Sequence, residues 1–425
     1  MDTRNAAASG VYGVPNNLCI AHFPPCESPT TKMTHAHKGA CIHTLQRLSP
    51  MKHPCFHYLL WFASLMHVLC NVPPPHVGWF NMTAAGITDL SACGNFPTCV
   101  NYEAQALVFS ISGLLNRGAP VLLLDTGAMN YDAPESDATW KAYFEAEKGF
   151  SFTTIAADVC SLVDHFKSEL AGAAVQYKSD GWSVFLAMTY SGVFGPLPVS
   201  QQLAGRYACL ASLTAAYHIP EFSNHTQAYE WAKESLLPLT SLDIVFNANF
   251  FPSNTRQALM SVDYPVMQRA FIMNIQPCWE MVGSPPCSYS QTSDTLLFTS
   301  ILRTRSNLVS LWGWSDPEHA YTNATTHAGG AVFCTFSTSN LAFWAAVSRW
   351  SGNKGAPAPR HQHVHPSPEG DAVYIAFETN EGDTPRILTS QFLSQWMSPH
   401  RGSVPIAWAV DPMLAGAVGG SLSRP

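Results

Sequence analysis

DAVYIAFETNEGDTPRILTSQFLSQWMSPHRGSVPIAWAVD, residues 371–411, sets the fold class. Its first apolar run, 373–377, has the pattern of a strand buried on both faces. The chain then turns through Glu378, Thr379, Asn380, Glu381, Gly382 and Asp383. Thr384 suits a helix N-cap and Pro385 the first helical position. Leu388, Phe392 and Trp396 recur every four residues and give that helix an apolar face. Pro399 and Gly402 end it, and 404–410 reads as a second buried strand closed by Asp411. Two buried strands joined by a helix predict a parallel βαβ unit, which binds ligands beyond the carboxyl ends of its strands. Glu378, Glu381, Asp383 and Asp411 would gather at that edge.

The same grammar recurs upstream. Residues 308–314 (LVSLWGW) read as a strand running into Ser315, Asp316, Pro317 and Glu318. Residues 331–336 read as another, followed by Asn340, a candidate cap for the amphipathic stretch 341–350. A rim of acids, amides and hydroxyls suits a polyhydroxylated substrate such as a sugar. The same residue types also serve as helix caps and turn formers, so each admits a structural reading as well.

The 425 residues are 47% apolar and 12% charged, enough for a large core in two or three domains. A net charge of -7 argues against a nucleic-acid partner. None of the 12 cysteines forms a C-x-x-C pair, which excludes a zinc ribbon or thioredoxin-like motif. Cys93 with Cys99, and Cys278 with Cys287, read as short-loop disulfides or as free buried thiols. His361, His363 and His365 alternate between prolines and read as a solvated linker, so no metal and no cofactor is expected. No G-x-S-x-G, H-E-x-x-H or G-x-x-x-x-G-K motif occurs.

Residues 1–50 lack hydrophobic periodicity and read as disordered or as an over-extended N-terminus. From Met51 a short basic start leads into the apolar run 58–70, then three prolines. Residues 51–72 therefore resemble a secretory signal, too short for a transmembrane helix. This predicts a secreted protein with no stable membrane span after signal removal. Sequons at Asn81, Asn224 and Asn323 fit a glycoprotein.

Residues 102–116 read as a helix, 120–124 as a buried strand ending in Asp125, 138–146 and 159–170 as helices, and 173–177 as a strand. Alternating helix and strand predicts an α/β architecture, with N-terminal α/β subdomains over 80–240 and a C-terminal βα domain over 241–425. That second domain reads as a βα repeat, with an incomplete barrel as one form it could take.

The run Ser110-Ile111-Ser112-Gly113-Leu114-Leu115-Asn116-Arg117, followed by Pro120 and the strand, resembles the "SLQGLVNR…P-x-I-Y-L" opening of the GxGYxYP family, with Ser112 replacing its Gln. Trp140 falls where that family has a Trp, and 187–199 and 228–238 are similar to its following subdomains. Gly313-Trp314 with Glu318 resembles its "GW…E", and 380–383 its "S-D-G-D-N" loop, here with Glu381 and Thr384 at two of its positions. Trp396, Arg401, Gly402, Pro405 and Trp408 resemble its "W…RG…P…W". The likeness covers roughly 80–415, and the chain ends before the tyrosine motif that names the family, which reads as a truncated C-terminal domain.

The family's own activity, glycoside hydrolysis, is inferred. The resemblance implies a glycoside hydrolase acting on a carbohydrate through paired carboxylates, one as general acid and one as base or nucleophile. By position these are Glu318 and Asp383, with Glu381 in reserve, and Trp314, Asn340, Asn380, Arg401 and Trp408 as substrate-binding residues. The alternatives are a non-catalytic carbohydrate-binding or cell-surface protein and an incomplete chain without activity.

Overall fold

The computed structural model describes residues 74–350, apart from 89, 91–98, 130–135, 249–258, 279, 281–285, 306–307, 316 and 336–337, together with 378–379 and 407–408. The chain divides into units 1–72 and 73–425, and every described residue lies in the second.

The protein is α/β, built from parallel sheets alternating with helices. The first sheet has the order β2-β1-β3, with β1 His76–Asn81, β2 Leu122–Asp125 and β3 Ser151–Thr154. Helix α1, Val100–Leu115, joins β1 to β2, and α2, Ser136–Lys148, joins β2 to β3. After α3, Val159–His165, the second sheet has the order β5-β4-β6: β4 Ala173–Tyr177, β5 Leu197–Ser200 and β6 Thr214–His218. Its crossovers are α4, Ser183–Phe194, and the short pair α5, Gln201–Arg206, and α6, Ala208–Ala211. Helix α7, His225–Ser235, leads into the third sheet.

That sheet has the order β10-β9-β7-β8. Its strands are β7 Ile244–Ala248, β8 Phe271–Met273, β9 Val309–Trp314 and β10 Gly330–Phe333. Between them run α8, Asp263–Met267, α9, Tyr289–Arg303, and α10, Glu318–His327. Helix α11, Leu341–Trp350, follows β10. In all three sheets the first strand is flanked by the second and the third, the order of an open doubly wound sheet. A barrel would seat β8 between β7 and β9. Here β7 pairs directly with β9, so β7 to β10 do not take up the incomplete-barrel alternative.

Two residues of β11, Glu378–Thr379, pair in parallel with β12, Ala407–Trp408. The parallel pairing expected around 371–411 is present. The strand takes in Glu378 and Thr379, which the sequence reads as turn. Residues 373–377 and the helix expected after Thr384 lie outside the described residues.

Helix α1 is the hub. A helix with an apolar face alone would leave a polar side to solvent, yet α1 is buried almost all round. It packs against α4, α8 and β5 and so joins the layers of all three sheets. Gly113 permits the closest approach, since a Cβ there would sit 2.3 Å from the Asp263 carbonyl oxygen. Asn116 ends the helix as a peptide surrogate. Its Oδ1 accepts the Val121 N–H at 2.8 Å, and its Nδ2 donates to the Leu122 carbonyl at 2.8 Å. Arg117 donates to the carbonyls of Gly192 and Val266. The run 110–117 is thus a packing and hydrogen-bonding device. Gly313 has an equally structural reason: its φ is 101°, and a Cβ would lie 2.2 Å from the Asn247 carbonyl oxygen.

The expected Cys278–Cys287 disulfide is present, and Cys99 is also disulfide-bonded. A further bridge, Cys160–Cys209, ties α3 to α6 across 49 residues of sequence. Among the described residues no helix is long and apolar enough to cross a membrane.

Candidate active site

The carboxyl ends of β1 and β2 stand side by side, with Asn81 in register with Asp125. Leu122, Leu123 and Leu124 are buried, and the strand delivers Asp125 half-buried at its rim. Asn81 Oδ1 accepts the Ala84 N–H at 2.7 Å, which fixes the amide, and its Nδ2 donates to Asp125 Oδ2 at 2.7 Å.

Behind Asp125 lies Asp137, a buried carboxylate in the first turn of α2. Its Oδ2 accepts the Thr126 N–H at 2.9 Å and the Thr126 hydroxyl at 2.5 Å. Its Oδ1 accepts the Ser339 hydroxyl at 3.1 Å and the Asn340 amide at 3.0 Å. Four donors satisfy a carboxylate that burial would otherwise penalise heavily. Burial pushes the Asp137 carboxyl above its usual range, and those hydrogen bonds oppose the rise. Asp125 is pushed up to about 6, first by its own burial and next by the Asp137 charge, against one hydrogen bond from the Gly127 backbone.

Asn340 draws the segment that follows β10 onto this rim. It bonds both backbone groups of Leu124, and helix α11 begins at the next residue. Helix α11 then packs its aromatic side chains on α2, with Trp344 and Trp140 edge-to-face at 4.8 Å and Phe343 and Phe144 at 5.4 Å. The cap expected from the Asn340 side chain is supplied instead by Asp263, whose Oδ2 accepts the Ala342 N–H at 3.0 Å. Asn340 contributes only its backbone carbonyl, which accepts the Trp344 N–H.

The other sequence-derived candidates fall elsewhere. Glu318 is exposed at the first residue of α10. Trp314 ends β9 half-buried, its ring 5.9 Å from Tyr321. Both belong to the third sheet, whereas Asn340 serves the first. Asn380, Glu381, Asp383 and Arg401 lie outside the described residues, and the backbone of Trp408 pairs with Thr379 in β12. Asp125 was visible in sequence as the end of a buried strand, and Asn81 as a sequon. Neither Asp137 nor its link to residues 339–340 has a local signal.

The chemistry of the rim follows from this asymmetry. Asp137 is enclosed by donors that oppose the upward push of its burial, and its charge raises the Asp125 carboxyl. Asp125 keeps one face toward solvent and holds its proton to about pH 6. That is the arrangement of a general acid beside a buried charge that tunes it.

No family model and no curated protein matches the chain. Among solved structures, it is similar to a crystal structure of a "putative hydrolase" from Bacteroides thetaiotaomicron VPI-5482 determined at 1.25 Å resolution. The TM-score is 0.56 at 14% identity, over 82% of this chain and 60% of that one. The chain therefore spans less than two thirds of that protein's length. At such identity the likeness is one of α/β fold.

Proposed function

We propose that the protein is a glycoside hydrolase acting on a glycan in the secretory pathway or outside the cell, with Asp125 as its general acid. The observation that carries this reading is the half-buried Asp125, held by Asn81 and raised to about 6 at the carboxyl end of a parallel strand. A glycosidic oxygen needs a proton as it leaves, and a carboxyl that keeps its proton into the mildly acidic range supplies one. The fold likeness to the Bacteroides thetaiotaomicron protein supports the reaction class. The resemblance to the GxGYxYP family supports the glycan, and its own carboxylate pair, Glu318 and Asp383 with Glu381 in reserve, holds the candidates for the group that would work with Asp125. The disulfides and the signal-like residues 51–72 support an oxidising compartment.

The test is turnover of a panel of 4-nitrophenyl glycosides and polysaccharides by the full chain, by Asp125→Asn, and by Glu318→Gln and Asp383→Asn separately. Loss of turnover in Asp125→Asn and in one of the other two variants, with unchanged unfolding, supports the assignment. Full activity in Asp125→Asn removes Asp125 from the mechanism. Glycan binding without turnover in the wild-type chain supports the non-catalytic alternative.

A further inference from the structure

The carboxyl edge of the second sheet carries a cleft of about 860 Å³, apart from the Asp125 rim. Residues at or just past the ends of all three strands line it: Gln176 in β4 and Ser179 after it, Gln201 and Gln202 after β5, and His218 at the end of β6. The sheet order places β4 between β5 and β6, so the connections leaving β4 and β5 run in opposite directions across it. Clefts of open α/β sheets form at such reversals.

The lining restricts what the cleft accepts. Its cation, Lys178, is already engaged by Glu221 at 3.0 Å. Beneath it, the Ser200 hydroxyl donates to Glu103, a carboxylate buried in the first turn of α1, and accepts the Leu203 N–H at 3.1 Å. A carboxyl buried behind Ser200, its pKa raised by that burial, and a lysine already paired with Glu221 offer little to hold phosphates and carboxylates. What remains are the amides of Gln176, Gln201 and Gln202 and the His218 imidazole, groups that donate and accept. Leu210, Ala211 and Ile219 add an apolar wall.

From these features we infer that the cleft is a second binding site, separate from the Asp125 rim, for a neutral saccharide. The amides and the imidazole match sugar O–H groups, and the apolar wall matches a ring's C–H face. The choice of saccharide rests on the glycan reading of the protein. The position of the site rests on the cleft itself.

The experiment is saturation-transfer NMR of the full chain with glucose, galactose, N-acetylglucosamine and cellobiose. It is repeated for Asp125→Asn, for Ala211→Trp, which fills the cleft, and for the double variant Gln176→Ala with Gln202→Ala. Transfer to at least one sugar in the wild type and in Asp125→Asn is expected. In the two cleft variants affinity should fall about tenfold or more, with thermal unfolding and glycoside turnover unchanged. Absence of transfer from all four sugars overturns the site, and so does transfer that survives Ala211→Trp. Transfer lost in Asp125→Asn but kept in Ala211→Trp places the sugar at the rim. That result upholds the hydrolase reading and overturns this one.

Discussion

Asn340 pairs with Leu124 as a neighbouring strand would: its Oδ1 accepts the Leu124 N–H and its Nδ2 donates to the Leu124 carbonyl, both at 2.9 Å. The same Nδ2 reaches Asp137, so one side chain closes the end of β2 and anchors the buried carboxylate. The φ of Asn340 is 59°, a left-handed conformation that Asn tolerates better than most residues. Asn340→Ala leaves buried donors and acceptors unmatched, and a loss of roughly 3 kcal/mol in urea unfolding is expected. Asn340→Gly retains the backbone freedom without the amide and should lose nearly as much. If the glycine variant proves close to wild type, the φ angle and not the pairing explains the residue.

The acid role of Asp125 fixes the sign of the pH dependence. A general acid works protonated, so kcat/KM should fall as pH rises through about 6. Asp137 raises the Asp125 pKa through its charge, and Asp137→Asn removes that charge. The falling limb of the profile should then move to lower pH, while Asp125→Asn removes turnover. A limb that stays in place in Asp137→Asn would mean the two carboxylates are not coupled.

How much of this was legible in the chain depends on range. The strand Ala173–Tyr177 matches its sequence reading residue for residue, because a short, mostly apolar run is a local signal. Asp125 was legible as the end of an apolar run. Its charged neighbour Asp137 stands in another element, and that residue's partners Ser339 and Asn340 are 202 and 203 residues further on, a range over which no periodicity links positions. The Cys160–Cys209 bridge was missed for the same reason, whereas the short Cys278–Cys287 loop could be read from spacing. Strand order was also hidden. A βα repeat in sequence is common to barrels and open sheets, and only the pairing of β7 with β9 separates them here.

A second buried carboxylate sets a stability trend that does not depend on the site. Asp263 is fully buried between α1 and α11, and burial pushes it up to about 7 against hydrogen bonds from the Tyr264 and Ala342 backbones. A folded pKa above the unfolded value means the native state binds the proton more tightly. The associated stability is fully present below the usual carboxylate range near 3.8 and is lost as pH rises through about 7. At ~1.4 kcal/mol per pH unit the loss is on the order of 4 kcal/mol. Urea midpoints should therefore decline between about pH 4 and pH 7, and Asp263→Asn should flatten that decline. An equal decline in the variant would assign the trend to other groups.

The Cys160–Cys209 bridge closes a loop spanning most of the second sheet. Constraint of the unfolded chain by a loop of this length is worth roughly 2–4 kcal/mol. Cys160→Ser with Cys209→Ser should lower the unfolding midpoint accordingly and leave glycoside turnover intact, since neither residue reaches the Asp125 rim. Equal stability with and without the bridge, measured under oxidising conditions, would show that these two thiols are not paired.

The three sequons are not equivalent once folded. The Nδ2 of Asn81, the atom a glycan would occupy, donates to Asp125 at 2.7 Å. Asn323 lies half-buried within α10, and Thr325 of its sequon is buried with its hydroxyl on the Tyr321 carbonyl at 2.7 Å. Asn224 is exposed at the N-cap of α7, where its Oδ1 accepts the Gln227 N–H at 3.0 Å. A glycan on Nδ2 leaves that cap intact, because the capping atom is the oxygen. Chain routed through a secretory pathway should therefore carry its N-glycan at Asn224, and peptide mass spectrometry after enzymatic deglycosylation reads the occupancy. Folded protein glycosylated at Asn81 would contradict the Asn81–Asp125 pairing and, with it, the geometry from which the acid role of Asp125 is argued.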